Sequence, residues 1–308
     1  WTDKIITQLK EMPNVIVRNR SQVFGYYDHN MTVMIERTGD HLKDKPKYAP
    51  RQRLWYIRAK EVILSTGSIE RPIVFGNNDT PGVFLSAAAK EYIKVYGVLV
   101  GKKPLIFTNN DSGYETALEF KKHGIDPIIL DTREEHSSEL IDSAKNQNIK
   151  IKFSYAVIAA NGYKKVNSAQ IGRLNKDKTS FVNSETIECD CICVSGFWTP
   201  TVHLASQSGN KLKFDDKIDA FVPDKSKQNE TSIGASKGTF TLQDTLDEGF
   251  KKGFDLSKKI TSNNNLISTP SSNEIKKSLH DKFWCSPLPK NKNFKRFVDF
   301  QNDVSVSD

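Results

Sequence analysis

Apolar residues recur along this chain at two periods, and the changes of period mark its elements. Alternation at every second position predicts strands over 14–20, 31–38 and 51–58, with 61–64 a short apolar run behind them. Helical spacing predicts the end of a helix over 2–11, closed by Pro13. It also predicts an amphipathic helix over 86–96, with Ser86 as N-cap and Gly97 as C′ residue. From Gly101 the two periods take turns: strand 104–108, helix 113–123, strand 126–130, helix 137–147, strand 150–154. That is a βαβαβ half of a doubly wound sheet, whose parallel strands are joined by right-handed crossovers. Strands over 155–160, 166–174 and 191–194 follow as an antiparallel flap, and a helix over 242–254 comes after Gly234-Ala-Ser-Lys-Gly238. The Ser-, Asn-, Thr- and Pro-rich stretch 261–275 reads as linker.

Two of the strands end alike. Glu61-Val-Ile-Leu-Ser-Thr-Gly-Ser-Ile-Glu-Arg-Pro72 and Cys191-Ile-Cys-Val-Ser-Gly-Phe-Trp-Thr-Pro200 each break at a small-small-Gly turn, with a proline soon after. The glycine lets the backbone pass close to something bulky, flat or charged, and the proline turns the chain away. Two such turns bracketing an α/β unit predict the fold class: α/β, with two nested dinucleotide-binding (Rossmann-like, FAD/NAD(P)-binding) domains as in two-dinucleotide flavoprotein reductases, the first incomplete. The expected division is 1–96 for the later part of the first domain with its β-meander and 97–198 for an inserted second Rossmann-like domain. Residues 199–260 return to the first domain, 261–282 form a linker, and 283–308, with a strand-like 297–300, begin a further small domain.

Composition narrows the function classes. At 308 residues, 37% hydrophobic and 27% charged, the chain can bury two cores, and it has no apolar run long enough to span a membrane. The net charge of +8 comes mostly from lysines scattered among acids, which suits a solvated surface or an anionic cofactor. No nucleic-acid-binding pattern accompanies it. Cys189, Cys191 and Cys193 alternate along a strand and share one face, which suits small buried residues; a redox dithiol or metal role is the alternative. An intracellular, reducing compartment, the cytoplasm, is expected.

Candidate sites follow from the turns. Thr108-Asn-Asn-Asp-Ser-Gly-Tyr114 occupies the strand-helix position where a dinucleotide's pyrophosphate would sit. It keeps one glycine, and Asp111 would repel a phosphate, so this turn is expected to have lapsed as a site. Ser65, Thr66 and Gly67 form a turn of the kind that closes the floor beneath a nucleotide held by an earlier glycine-rich loop, which this chain does not contain. Gly234 stands where flavoproteins place a Gly-Asp pair, but Ala235 replaces the acid, which disfavours FAD and leaves a different nucleotide open. Phe24-Gly-Tyr-Tyr-Asp-His-Asn30 reads either as an aromatic platform with His29 for acid–base work or as a structural turn. No catalytic triad, metal motif or CxxxxC disulfide is present.

Five motifs in order resemble the alpha subunit of heterotetrameric sarcosine oxidase: 24–30, Arg51-Gln-Arg-Leu-Trp55, 67–72 with Asn77-Asn-Asp79 and Pro81-Gly82, Phe107-Thr-Asn-Asn-Asp111, and Phe297-Val-Asp-Phe-Gln-Asn-Asp-Val304. The resemblance runs through the chain. It implies a central portion, without the N-terminal nucleotide-loop domain and the C-terminal folate-binding domain. It implies an assembly with beta, gamma and delta subunits that oxidises sarcosine to glycine. There the one-carbon unit passes to tetrahydrofolate and O2 becomes H2O2. FAD is expected on the beta subunit, FMN at the alpha–beta interface and an inert NAD on alpha. Ser65, Thr66, Gly67, Gly234 and Ala235 are then expected at the NAD, and Arg71, Asn77, Asn78 and Asp79 at the FMN, Arg71 by pairing with its phosphate. No residue here is assigned to catalysis. The alternatives are a noncatalytic nucleotide-binding assembly module and the alpha subunit of an opine or proline dehydrogenase. The tail lacks the cysteines of a two-iron two-sulfur motif.

Overall fold

The structure is a computed structural model that describes residues 1–261, 268–273, 280–290 and 292–308. Helix α1 (Thr2–Glu11) precedes a meander of β1 (Ser21–Tyr27), β2 (Met31–Arg37) and β3 (Gln52–Arg58). Then come β4 (Val62–Leu64), β5 (Ser68–Glu70), β6 (Val83–Leu85) and α2 (Ser86–Tyr96). The next run is β7 (Pro104–Thr108), α3 (Ser112–Lys122), β8 (Ile128–Asp131), α4 (Glu139–Asn146) and β9 (Lys150–Phe153). It is followed by β10 (Tyr155–Asn161), β11 (Ser168–Leu174), β12 (Phe181–Glu188), β13 (Cys191–Ser195) and β14 (Trp198–Pro200). The chain continues through α5 (His203–Gln207), β15 (Leu212–Asp215), β16 (Ala220–Pro223), β17 (Glu230–Ser232), α6 (Leu242–Thr261), β18 (Phe297–Asp299) and β19 (Val304–Ser305).

Five parallel strands in the order β6-β13-β7-β8-β9 form the central sheet. Every residue of β7 and β13 is buried, as a parallel strand covered on both faces requires. Alternation sends Leu105 and Phe107 to one face and Ile106 to the other. On the first face they meet the antiparallel sheet β10-β11-β12 through Ala156, Val157, Ala169 and Ile171. On the second, α2, α3 and α4 bring Ile93, Phe120 and Ile141. Cys191 and Cys193 share this helical face, while Cys189, just ahead of the strand, packs on the opposite one. Because β6 and α2 join this sheet and core, our domain proposal starts the inserted unit at 83 rather than 97.

Several expected elements differ. Residues 14–20 form no strand: Ile16 is 76% exposed, and the ladder to β2 begins at Ser21, just past the Arg37 N–H that donates 3.0 Å to Arg20 O. Most of the 24–30 motif is therefore strand, with only Asp28, His29 and Asn30 left to turn. The helix expected over 242–254 runs on to Thr261. Parts of the expected linker, 262–267 and 274–279, lie outside the described residues. Ser86 is the first helical residue of α2 rather than its cap. The Ala87 N–H instead donates 2.6 Å to the carboxylate of Glu70, which is brought in by β5.

The chain leaves the first unit along β5 and returns along β14, and the two pair antiparallel. Beside that ribbon the Arg71 N–H donates 2.8 Å to Phe197 O, and the Gly196 N–H donates 2.7 Å to Arg71 O. A Cβ on Gly196 would lie 2.6 Å from Arg71 O and 2.8 Å from Pro72 O. Gly196→Ala should therefore destabilise the protein by about 1–3 kcal/mol, read as a lower urea midpoint; an unchanged midpoint would contradict the close crossing.

Glu70 generates a pH effect. Burial lifts its carboxyl from an ordinary 4.5 to about 7, against the pull of the Ala87 N–H, Ser195 and Lys90. Since the folded value is the higher one, protonation favours the fold. This contribution is complete below pH 4.5 and is lost as pH rises through about 7. Glu70→Gln removes it, so the stability of the variant relative to wild type should rise between pH 4.5 and pH 8, by on the order of 3 kcal/mol. Parallel denaturation curves at the two pH values check this.

Candidate functional site

Among the described residues, two sets of parallel strand ends carry the expected turns, and they differ in what surrounds them. The first lies where β4 and β17 run parallel, with Leu64 opposite Ser232. The Ile233 N–H donates 3.0 Å to Leu64 O, and the Ser236 hydroxyl donates 3.2 Å to the same oxygen. This places the Ser65-Thr66-Gly67 turn beside Gly234 and Ala235, so five of the nine expected residues converge. Ser65 and Thr66 are exposed, and Gly67 takes a positive φ of 75°. Among the described residues, a Cβ built on Gly67 meets nothing within 4 Å, so the turn faces open space.

Gly234 also has a positive φ, 66°, and opens a short 3-10 turn. Its N–H is not free: it donates 2.8 Å to Glu248 of α6, whose other oxygen accepts from the Thr239 hydroxyl at 2.8 Å. Lys237 stands 3.9 Å from the same carboxylate. Glu248 thus occupies the donor that a ligand phosphate would use. Sequence spacing did not single it out, because a glutamate six residues into a helix reads as a solvated face.

The other four expected residues lie elsewhere, and three of them are otherwise engaged. The Arg71 guanidinium donates to Gly196 O at 3.3 Å, Asp219 O at 2.7 Å and Ile218 O at 3.2 Å, and stacks 3.9 Å from the Trp284 ring. Three carbonyls and a ring hold it as a clamp between segments, which does not fit the expected flavin-phosphate contact. Asn77 donates 3.1 Å to Ala160 O. Asn78, buried, both donates to Phe297 O at 2.8 Å and accepts from the Phe297 N–H at 2.9 Å. With the Asn77 N–H donating 2.6 Å to Lys295 O, the Asn-Asn pair straps segment 295–297 down, and of the three residues Asp79 alone is exposed.

The second crevice lies at the carboxyl ends of β7, β8 and β13, where an open α/β sheet binds nucleotides. Here the chain fills it. The Asn110 side chain accepts from the Ser112 N–H at 2.8 Å and donates 3.0 Å to Ser195 O. It thereby consumes a donor at the start of α3 that would face a phosphate. Asp111 and Asp131, both buried, share Arg133 at 2.9 Å and 2.8 Å. The Tyr114 hydroxyl donates 2.7 Å to Asp131. Burial together with the Asp131 charge holds that phenol protonated well above its usual range. Burial pulls the Arg133 guanidinium down, but the Asp131 and Asp111 carboxylates outweigh it, so it stays charged.

His29 lies exposed at the β1–β2 turn with a φ of 61° and lines an open cavity of about 740 Å³ with Asp28, Lys60 and Lys227. Within the motif, Tyr26 is buried and its hydroxyl donates 2.8 Å to Asn30, whose own N–H donates 2.7 Å to Gln228. The structural role thus falls to Tyr26 and Asn30.

No family model matches the chain. It is 31% identical over 308 residues to the sarcosine oxidase alpha subunit of Rhizobium meliloti (strain 1021), covering 98% of this chain and 29% of that protein. It is 31% identical over 316 residues to that of Corynebacterium sp. (strain P-1), covering 100% of this chain and 32% of the relative. The chain therefore spans about a third of the length of these relatives. Among solved structures it is similar to L-proline dehydrogenase from P. horikoshii, with a TM-score of 0.55 at 20% identity over 83% of this chain and 44% of that one. A NAD-dependent persulfide reductase from A. fulgidus gives 0.57 at 13% identity over 85% and 48%. These likenesses give the fold, the Rossmann-like α/β architecture of flavoprotein reductases.

Removing Arg133 would leave two carboxylates buried without their shared cation. Arg133→Leu should cost about 3–5 kcal/mol, measured by urea denaturation at pH 7. A loss below about 1 kcal/mol, the worth of a surface pair, would contradict the buried network.

Proposed function

We propose that this chain, related along its length to about a third of the sarcosine oxidase alpha subunits, is the nucleotide-holding part of such a subunit. In this reading the assembly oxidises sarcosine to glycine, passes the one-carbon unit to tetrahydrofolate or releases it as formaldehyde, and reduces O2 to H2O2. Beta, gamma and delta subunits are the partners, with FAD on beta and FMN at the alpha–beta interface. No helix among the described residues is long and apolar enough to cross a membrane; we place the assembly in the cytoplasm.

The observation that carries the reading is the asymmetry of the two crevices. Ser65, Thr66 and Gly67 meet Gly234 and Ala235 at an open strand end, while the second crevice is closed by the chain itself. We assign NAD to the first. The residues fit a flat or sugar-phosphate surface approaching backbone, since Gly67 has open space above it. They do not fit a flavin held by an acid at 235, and with the Gly234 N–H bound to Glu248 the pyrophosphate takes its donors from elsewhere. No acid or base stands among the five residues, which supports a bound dinucleotide that does not turn over. FMN, when bound, would carry electrons to oxygen, and on this chain its holders are other than Arg71, Asn77 and Asn78.

In the assembled complex, Gly67→Phe should lower NAD content per chain at least tenfold, as a side chain fills the space a ligand needs. Content is measured by releasing and quantifying nucleotides after denaturation, with a thermal melt to confirm folding. Unchanged NAD in a folded variant would remove Gly67 from the pocket.

A further inference from the structure

We propose that the crevice of the five-stranded sheet is a peptide site, whose ligand is the chain's own segment 281–286. The segment crosses the carboxyl ends of the strands where a dinucleotide would lie. The Asp281 N–H donates 2.9 Å to Asn109 O, and the Asn109 side chain answers by donating 2.9 Å to Asp281 O and 3.2 Å to Phe283 O. Asn109 is wholly buried, directly after β7. The Thr132 hydroxyl, directly after β8, donates 3.1 Å to the Asp281 carboxylate, which also pairs with Lys178.

Side chains complete the seat. Phe283 is 4% exposed and belongs to the core between the two sheets, beside Leu105, Phe107 and Val194. Beyond it, the Val74 N–H donates 2.8 Å to Trp284 O, and the Ser286 N–H donates 2.8 Å to Val74 O. The segment therefore fastens the crevice to the stretch that leaves the hinge ribbon. Asparagine suits a peptide ligand here for a plain reason: its amide donates to two carbonyls of the passing backbone, as a glycine in a nucleotide loop could not. An anionic pyrophosphate would meet the Asp281 carboxylate and the buried Asp111 instead.

Hydrogen exchange on the full chain in its assembled complex tests this, with and without millimolar NAD as the probe. The expected result is slow exchange at Asp281, Phe283 and Ser286 that NAD leaves unchanged. Asn109→Ala should reduce protection at 281–283 roughly tenfold, the worth of lost hydrogen bonds, while 191–195 stays protected. If that variant is not recovered folded, Asp281→Ala, which removes the Thr132 and Lys178 contacts at a half-buried position, should show the same loss. Free-peptide exchange rates at 281–283 in the wild type would overturn the proposal. So would NAD protecting 108–113 while releasing 281–283. The NAD assignment fails separately, as absence of a footprint at 65–67 with the segment still protected.

Discussion

Two passages of main chain cross between the units of this protein at less than a side chain's width. There the Gly196 N–H donates to Arg71 O and the Arg71 N–H donates to Phe197 O, with no room for a Cβ on the glycine. Around that crossing the Arg71 guanidinium gathers the carbonyls of Gly196, Ile218 and Asp219, and its outer face rests on Trp284. Phe197 continues the stack onto His280, with ring centroids 4.1 Å apart. The hinge ribbon, the β15–β16 hairpin and the late segment meet at one cation. Its role is to satisfy buried carbonyls, a demand that outranks recruitment of an external anion.

The same economy explains the two crevices. In the five-stranded unit, polar groups at the strand ends are satisfied internally: Asn110 by Ser112 and Ser195, Arg133 by two aspartates, Asn109 by the late segment. At the first crevice, the turn at Gly67 has backbone at a positive φ of 75° and open space above it. Function in this reading follows from which crevice the chain leaves open.

The central α/β unit was legible because its strands and helices each carry a clean period, and two-sided burial of β7 and β13 turns that period into a sheet. The glycine turns were legible as close approaches, but what approached was not: at Gly196 it is the returning chain, at Gly67 open space. The one glycine kept in the 108–114 turn, Gly113, sits where a Cβ would lie 2.6 Å from that of Thr108. Close helix–strand packing therefore requires this glycine whether or not the turn meets a phosphate. Arg71 and the Asn77-Asn78 pair looked like anion binders because residue type alone does not reveal whether donors are taken by carbonyls distant in sequence. Glu70, Glu248 and Asp281 went unnoticed for the same reason: each acts across 14 to 172 residues of chain.

NAD binding in this reading depends on one crevice being open and the other closed. Counting NAD per chain in the purified, assembled complex, by denaturation and quantitation against protein, tests that most directly. One NAD per chain is the predicted value. Two per chain would mean that the second crevice admits a ligand despite its occupants, and none would mean that the first is not a nucleotide site.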